Sequence, residues 1–133
     1  MKASACIPPC LLIASLLLAG CDYASDRNAG YVGEYAAQRT GGSAARGARL
    51  VLQYGCSACH TISGLYRARG RVGPPLDFFA ERSFIGGELP NTPETLVHWI
   101  MDAPGLIPAT AMPRMNVSER DARDIAAYLY TLH

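Results

Sequence analysis

The chain has 133 residues, with 12 Lys or Arg against 11 Asp or Glu, for a formal net charge of +1. That length suits one domain with short processing and linker segments, and the charge balance gives no broad electrostatic case for nucleic acid or acidic ligands. Five cysteines is an odd count, and only Cys56 and Cys59 lie in the body of the chain, so a disulfide framework has little to build on.

Residues 1–20 read as a secretory signal: Lys2 supplies the positive start, and the apolar run Leu11–Ala19 is too short for a membrane-spanning helix, which takes about 20 residues. The run ends in Leu18-Ala19-Gly20-Cys21. This resembles the bacterial lipobox, which implies that Cys21 is the acylated first residue of the mature protein, held on the periplasmic side of the inner membrane. Ordinary cleavage with Cys21 as a free thiol is the alternative. Loss of Lys2 with the signal leaves 11 basic residues facing 11 acidic ones. Cys6 and Cys10 take no role in this reading. Residues 21–43 are rich in Gly, Ala, Ser and polar side chains with no sustained period, which predicts a lipidated flexible tether. A chain of that kind spans roughly 25 Å root-mean-square. Packing of Tyr23, Tyr31 and Tyr35 on the domain is the other possibility.

Residues 56–60 read Cys-Ser-Ala-Cys-His. Two thiols three positions apart sit about one helical turn from each other, within reach of one porphyrin edge, and the next residue, His60, falls under the iron. In an exported chain this is the signature of covalent haem c attachment. A thioredoxin-like dithiol wants a βαβ setting, and none is evident. A zinc site wants a second pair of ligands, which His98 and His133 do not supply. The candidate sixth iron ligand lies in Pro108-Ala109-Thr110-Ala111-Met112-Pro113-Arg114-Met115, where proline stiffens a loop that presents a weak thioether. Met112 is favoured, with Met115 as the alternative and as a packing residue on the haem face.

With Gly73-Pro74-Pro75-Leu76 following the haem motif, residues 44–132 resemble the class I c-type cytochromes. The resemblance implies an all-α cytochrome c fold of three to four helices around one covalently bound haem, in a domain at 44–133. It implies that the Pro74 carbonyl accepts a hydrogen bond from His60 Nδ1–H, fixing the ring and making it more basic. It also implies that Thr110 bonds a haem propionate and that the indole of Trp99 approaches the methionine sulfur or a propionate. The cofactor-binding set is thus Cys56, Cys59, His60, Met112, Pro74, Trp99 and Thr110, with His60 and Met112 on the metal.

The helices follow from caps and spacing. The first runs from about Ser43 to Tyr54 with Leu50, Val51 and Tyr54 on one side, and small Gly47 and Ala48 where the resemblance places the crossing with the last helix. The family's glycine falls nearer position 48. Thr92-Pro93-Glu94 opens a second helix that buries Leu96, Trp99 and Ile100, leaves His98 at the surface and ends at Pro104-Gly105. Ser118 caps the last helix, with Asp121 as the capping-box acid and Ile125, Tyr128, Leu129 and Leu132 on one face. A short helix is expected within 77–88, ending at Gly86-Gly87, and no strand.

These readings predict an electron carrier, not an enzyme and without a small-molecule substrate, exchanging single electrons with redox proteins such as a membrane oxidase, a cytochrome bc1-type complex or a periplasmic dehydrogenase. A fixed oxidase or dehydrogenase subunit is the alternative, and a five-coordinate gas sensor or peroxidase-like enzyme the more distant one. Arg67, Arg69 and Arg71 are the only local basic cluster. A core of about 90 residues is small, so the apoprotein is expected to fold poorly.

Overall fold

A computed structural model describes residues 30–133. The signal at 1–20, the acylation of Cys21, and Cys6 and Cys10 lie outside the described residues. The chain divides into two compact units, Met1–Tyr31 and Val32–His133. Only Gly30 and Tyr31 of the first are described, and everything below concerns the second. Among the described residues no helix is long and apolar enough to cross a membrane.

Residues 32–40 are helical (α1), where that part of the stretch 21–43 was expected to be flexible; residues 21–29 lie outside the described residues. Ala36 and Thr40, one turn apart, are each only 1% exposed. Thr40 is buried without cost because its hydroxyl donates to Ala36 O at 2.9 Å and accepts from Gly42 N–H at 3.2 Å. The end of α1 is fastened from outside: Arg123 donates to Thr40 O at 3.1 Å, and the Arg39 guanidinium lies 5.3 Å from the Tyr130 ring centroid.

Helix α2 spans Ala44–Gln53, with Ser43 as N-cap. Helix α5 spans Glu119–Leu129; the Ser118 side chain accepts from Asp121 N–H, the forward half of the expected capping box. The Asp121 carboxylate is spent elsewhere, accepting the Tyr54 hydroxyl at 2.7 Å. The two helices cross at Gly47, where a β carbon would overlap the Asp124 carbonyl and stand 2.7 Å from Tyr128 Cβ. The close approach therefore falls on Gly47 and not on Ala48, and it brings Asp124 into the interior.

Asp124 is 1% exposed, yet its oxygens are fully employed: Ser43 N–H at 2.6 Å, Arg46 Nε at 2.6 Å and Arg46 Nη2 at 2.8 Å. Burial pushes its carboxyl up, but the hydrogen bonds from Arg46 and Ser43 and the Arg46 charge outweigh it, so the net displacement is downward. A lowered folded pKa contributes stability that is present above the unfolded carboxylate range, near pH 4, and lost as pH falls through the folded value. Asp124→Asn should lower the melting temperature at pH 7 by roughly 5–10 °C and flatten the acid limb of the stability profile in thermal scans from pH 7 to 3. A variant whose acid limb matches the parent would show that Asp124 carries no such linkage.

Helix α4 spans Pro93–Leu106, opened by Thr92, whose Oγ1 accepts Thr95 N–H at 3.2 Å, with Pro93 in the first turn. Leu96, Val97 and Ile100 are buried, Trp99 is half-buried, and His98 is exposed. The helix breaks at Asp102, not at Pro104. The Asp102 carboxylate accepts Gly105 N–H at 3.1 Å and so caps a separate last turn that contains Pro104. The expected helix within 77–88 is a single 3₁₀ turn, Phe79–Glu81. Gly86 and Gly87, both at positive φ, instead turn a two-residue antiparallel pair, Phe84–Ile85 (β1) with Leu89–Pro90 (β2), where no strand was expected. The core joins α2, α4 and α5 with α1 and the loops between them.

Candidate functional site

Gly55, at φ +73°, lets the chain leave α2 and re-enter helical geometry as the single turn α3, Cys56–Cys59. His60 closes that turn, its N–H donating to Cys56 O at 2.9 Å, while its own backbone is already extended. Both cysteines are free and half-buried. Burial pushes the Cys56 thiol above its ordinary range, the opposite of the lowered thiol that a reactive redox dithiol requires. Among the described residues no group of three or more His, Cys, Asp and Glu side chains is placed to hold a metal ion on its own.

The following loop is stapled onto the motif by main-chain bonds. Gly70 N–H donates to Ser57 O and His60 O, each at 3.2 Å, Gly73 N–H to Cys59 O at 2.8 Å and Leu76 N–H to Thr61 O at 2.8 Å. His60 Nδ1 lies 2.7 Å from Pro74 O. A carbonyl only accepts, so Nδ1–H is the donor and Nε2 is left out of the bond. The approach demands glycine: a β carbon at Gly73 would overlap the imidazole, and one at Gly70 would crowd the Ala58–Cys59 peptide. Arg82, which sequence reasoning did not single out, donates to Pro75 O and to Asp77 O at 3.0 Å, and its guanidinium sits 5.4 Å from the Phe79 ring centroid. It holds the segment just after Pro74. Side-chain bonds to main-chain carbonyls leave no motif, and nothing in the sequence marked Gly70.

On the other side of the chain, Thr110 and Met112 are joined by Met112 N–H donating to Thr110 Oγ1 at 3.2 Å. Met112 is half-buried but is not packed into the apolar core, whereas Met101 and Met115 are. Trp99 packs on the core with its ring beneath Gly86. The structure thus joins Cys59, His60, Gly73 and Pro74 in one unit and Thr110 with Met112 in another; among the described residues no hydrogen bond connects the two. The donor set is two thiols a turn apart, an imidazole with Nε2 free and a thioether left out of the core. That chemistry fits a c-type iron porphyrin.

A small helical domain whose Cys-x-x-Cys-His turn is closed by a Gly-Pro carbonyl defines a haem-binding electron-transfer class. The sequence matches the cytochrome c family over residues 44–133, and the chain belongs to that family. It is accordingly a c-type cytochrome that binds haem c and takes part in electron transport. Comparisons with curated proteins and with solved structures found no match.

Proposed function

We propose that the chain transfers single electrons through one haem c that Cys56 and Cys59 would hold covalently and whose iron His60 and Met112 would ligate. The haem, when bound, supplies a one-electron Fe(III)/Fe(II) couple. Cys56 and Cys59 form its thioether bonds. His60 offers Nε2, oriented and made more basic by the Pro74 carbonyl. Met112 offers its sulfur, which favours Fe(II) and raises the potential. With His60 and Met112 both committed to holding the haem, the chemistry would be outer-sphere electron transfer to redox proteins and not substrate turnover. The observation that carries this reading is the 2.7 Å contact of His60 Nδ1 with Pro74 O, in a loop closed on Cys59. We place the domain on the periplasmic face of the inner membrane, held by acylated Cys21.

Acid–acetone extraction should leave the haem with the polypeptide, and intact-mass analysis should report one haem plus acyl chains at Cys21. Met112→Ala should remove the red-edge charge-transfer band of the oxidised protein and lower the reduction potential by on the order of 100 mV. Extraction of all the porphyrin would overturn the covalent assignment, and an unchanged band would transfer the ligand role to another residue.

A further inference from the structure

The two halves of the site are held by different means. Behind His60, main-chain bonds from Gly70, Gly73 and Leu76 staple the loop to the haem motif. Around Met112, residues 108–117 form neither helix nor strand, and Pro108 and Pro113 have no N–H to give. The hydrogen bonds there, Thr110 N–H to Ile107 O at 3.0 Å and Met112 N–H to Thr110 Oγ1 at 3.2 Å, are short-range. Among the described residues no hydrogen bond ties 111–117 to another element. Met115 packs on the core and Val117 is buried, so apolar contact fixes the far end of the loop. One polar link crosses the gap: Arg114, two residues past Met112, stands with Nη2 2.7 Å from Asp102 Oδ2.

Asp102 is set to receive that arginine. Helix α4 breaks at this residue, where φ is −152° and ψ is 71°. One carboxylate oxygen, Oδ1, accepts Gly105 N–H at 3.1 Å, and the other, Oδ2, faces Arg114. A β carbon at position 105 would overlap Oδ2, so glycine there leaves the carboxylate its room. An exposed ion pair is usually worth little because two side chains must be ordered. Here the bond to Gly105 already orders one of them, and the Asp102 side chain is only 34% exposed. We propose that Asp102 and Arg114 form a latch that positions Met112, keeping its sulfur on the haem iron against competing ligands. The proposal rests on the reading of Met112 as sixth ligand. A thioether is the weak member of the donor set, so its hold depends on how seldom the loop swings out.

The test uses the full-length ferric holoprotein with imidazole as the probe. At saturating imidazole, the rate at which the red-edge band is lost reports how often the Met112 loop opens. Asp102→Asn keeps an oxygen for Gly105 N–H and removes the charge, and Arg114→Gln removes the other partner. Each should speed displacement roughly threefold. The double variant should be no faster than either, because a pair is broken only once, and added salt should bring the parent toward the variants. Single-variant rates equal to the parent's, or effects that multiply in the double variant, would overturn the latch. Amide hydrogen exchange supplies a readout independent of the iron. Exchange at Thr110 and Met112 should quicken in the single variants while that of Ile125, buried in α5, stays unchanged. Quickening of Ile125 in step would assign the effect to general loosening and count against the latch. Met112→Ala is measured alongside. A red-edge band that survives in it defeats the ligand reading, and amide exchange then decides the latch by itself.

Discussion

Gly47→Val should abolish stable folding of the holoprotein, or lower its melting temperature by roughly 20 °C, a loss of more than about 4 kcal/mol. The site is the crossing of α2 and α5, where a β carbon would overlap the Asp124 carbonyl and stand 2.7 Å from Tyr128 Cβ. Main chain cannot rotate aside as a side chain can, so the helices must separate. Separation breaks a linked set: the Ser43 and Arg46 bonds to Asp124, the Tyr54–Asp121 bond and the burial of Val51. Gly47→Ala tests the balance more finely. Alanine gains about 1 kcal/mol of helix propensity, against an overpacking cost of about 1–3 kcal/mol that a rigid carbonyl pushes to its upper end. The net should be destabilising. Ala48→Val is the control, since Ala48 is half-buried and not at the point of closest approach; its melting temperature should fall by only a few degrees. If the valine effects were reversed between 47 and 48, the crossing would lie one residue later than described.

The parts of this fold that were legible in the sequence are those whose cause is local. The turn Cys56–Cys59 with His60 at its end and the Thr92 and Ser118 caps are each decided within a few residues, and the Gly73-Pro74 approach to His60 carries its own short motif. What escaped was decided at a distance. Helix α1 buries Ala36 and Thr40, a small residue and a polar one that satisfies itself on Ala36 O, so its stripe has no hydrophobic signature. Asp124 sits where an exposed acid was as plausible, and Arg46, far away in sequence, makes its burial tolerable. Two-residue strands leave no alternation to detect, so Gly86-Gly87 read as a helix stop when it is a hairpin turn. At α4 proline drew attention from the real breaker, the Asp102 carboxylate that caps its own turn. In the site, the residues of the two motifs were readable, whereas Arg82, whose side chain reaches back to Pro75 O and Asp77 O, lies in no motif and was not.

Gly73→Ala should raise the reduction potential by about 40 mV while leaving the haem attached. A β carbon at position 73 would overlap the His60 ring and stand 2.7 Å from Nδ1, so the imidazole must turn or the loop must lift. Either movement stretches the Nδ1–Pro74 O contact, now 2.7 Å. That hydrogen bond makes the imidazole a stronger donor, which favours the ferric state, and weakening it therefore favours Fe(II). A bond of about 1 kcal/mol that differs between the two oxidation states corresponds to about 40 mV for one electron. Pro74→Ala discriminates between this and loop loosening. The acceptor is main chain and survives the substitution, so that variant should lose some stability yet keep its potential within about 10 mV, well below one hydrogen bond's worth. Potentiometric titration of the three proteins, with the red-edge band monitored to confirm intact ligation, separates the outcomes. A Gly73→Ala potential equal to the parent's would mean that His60 is not poised by this carbonyl. A shift of the same size in Pro74→Ala would assign the effect to the loop as a whole.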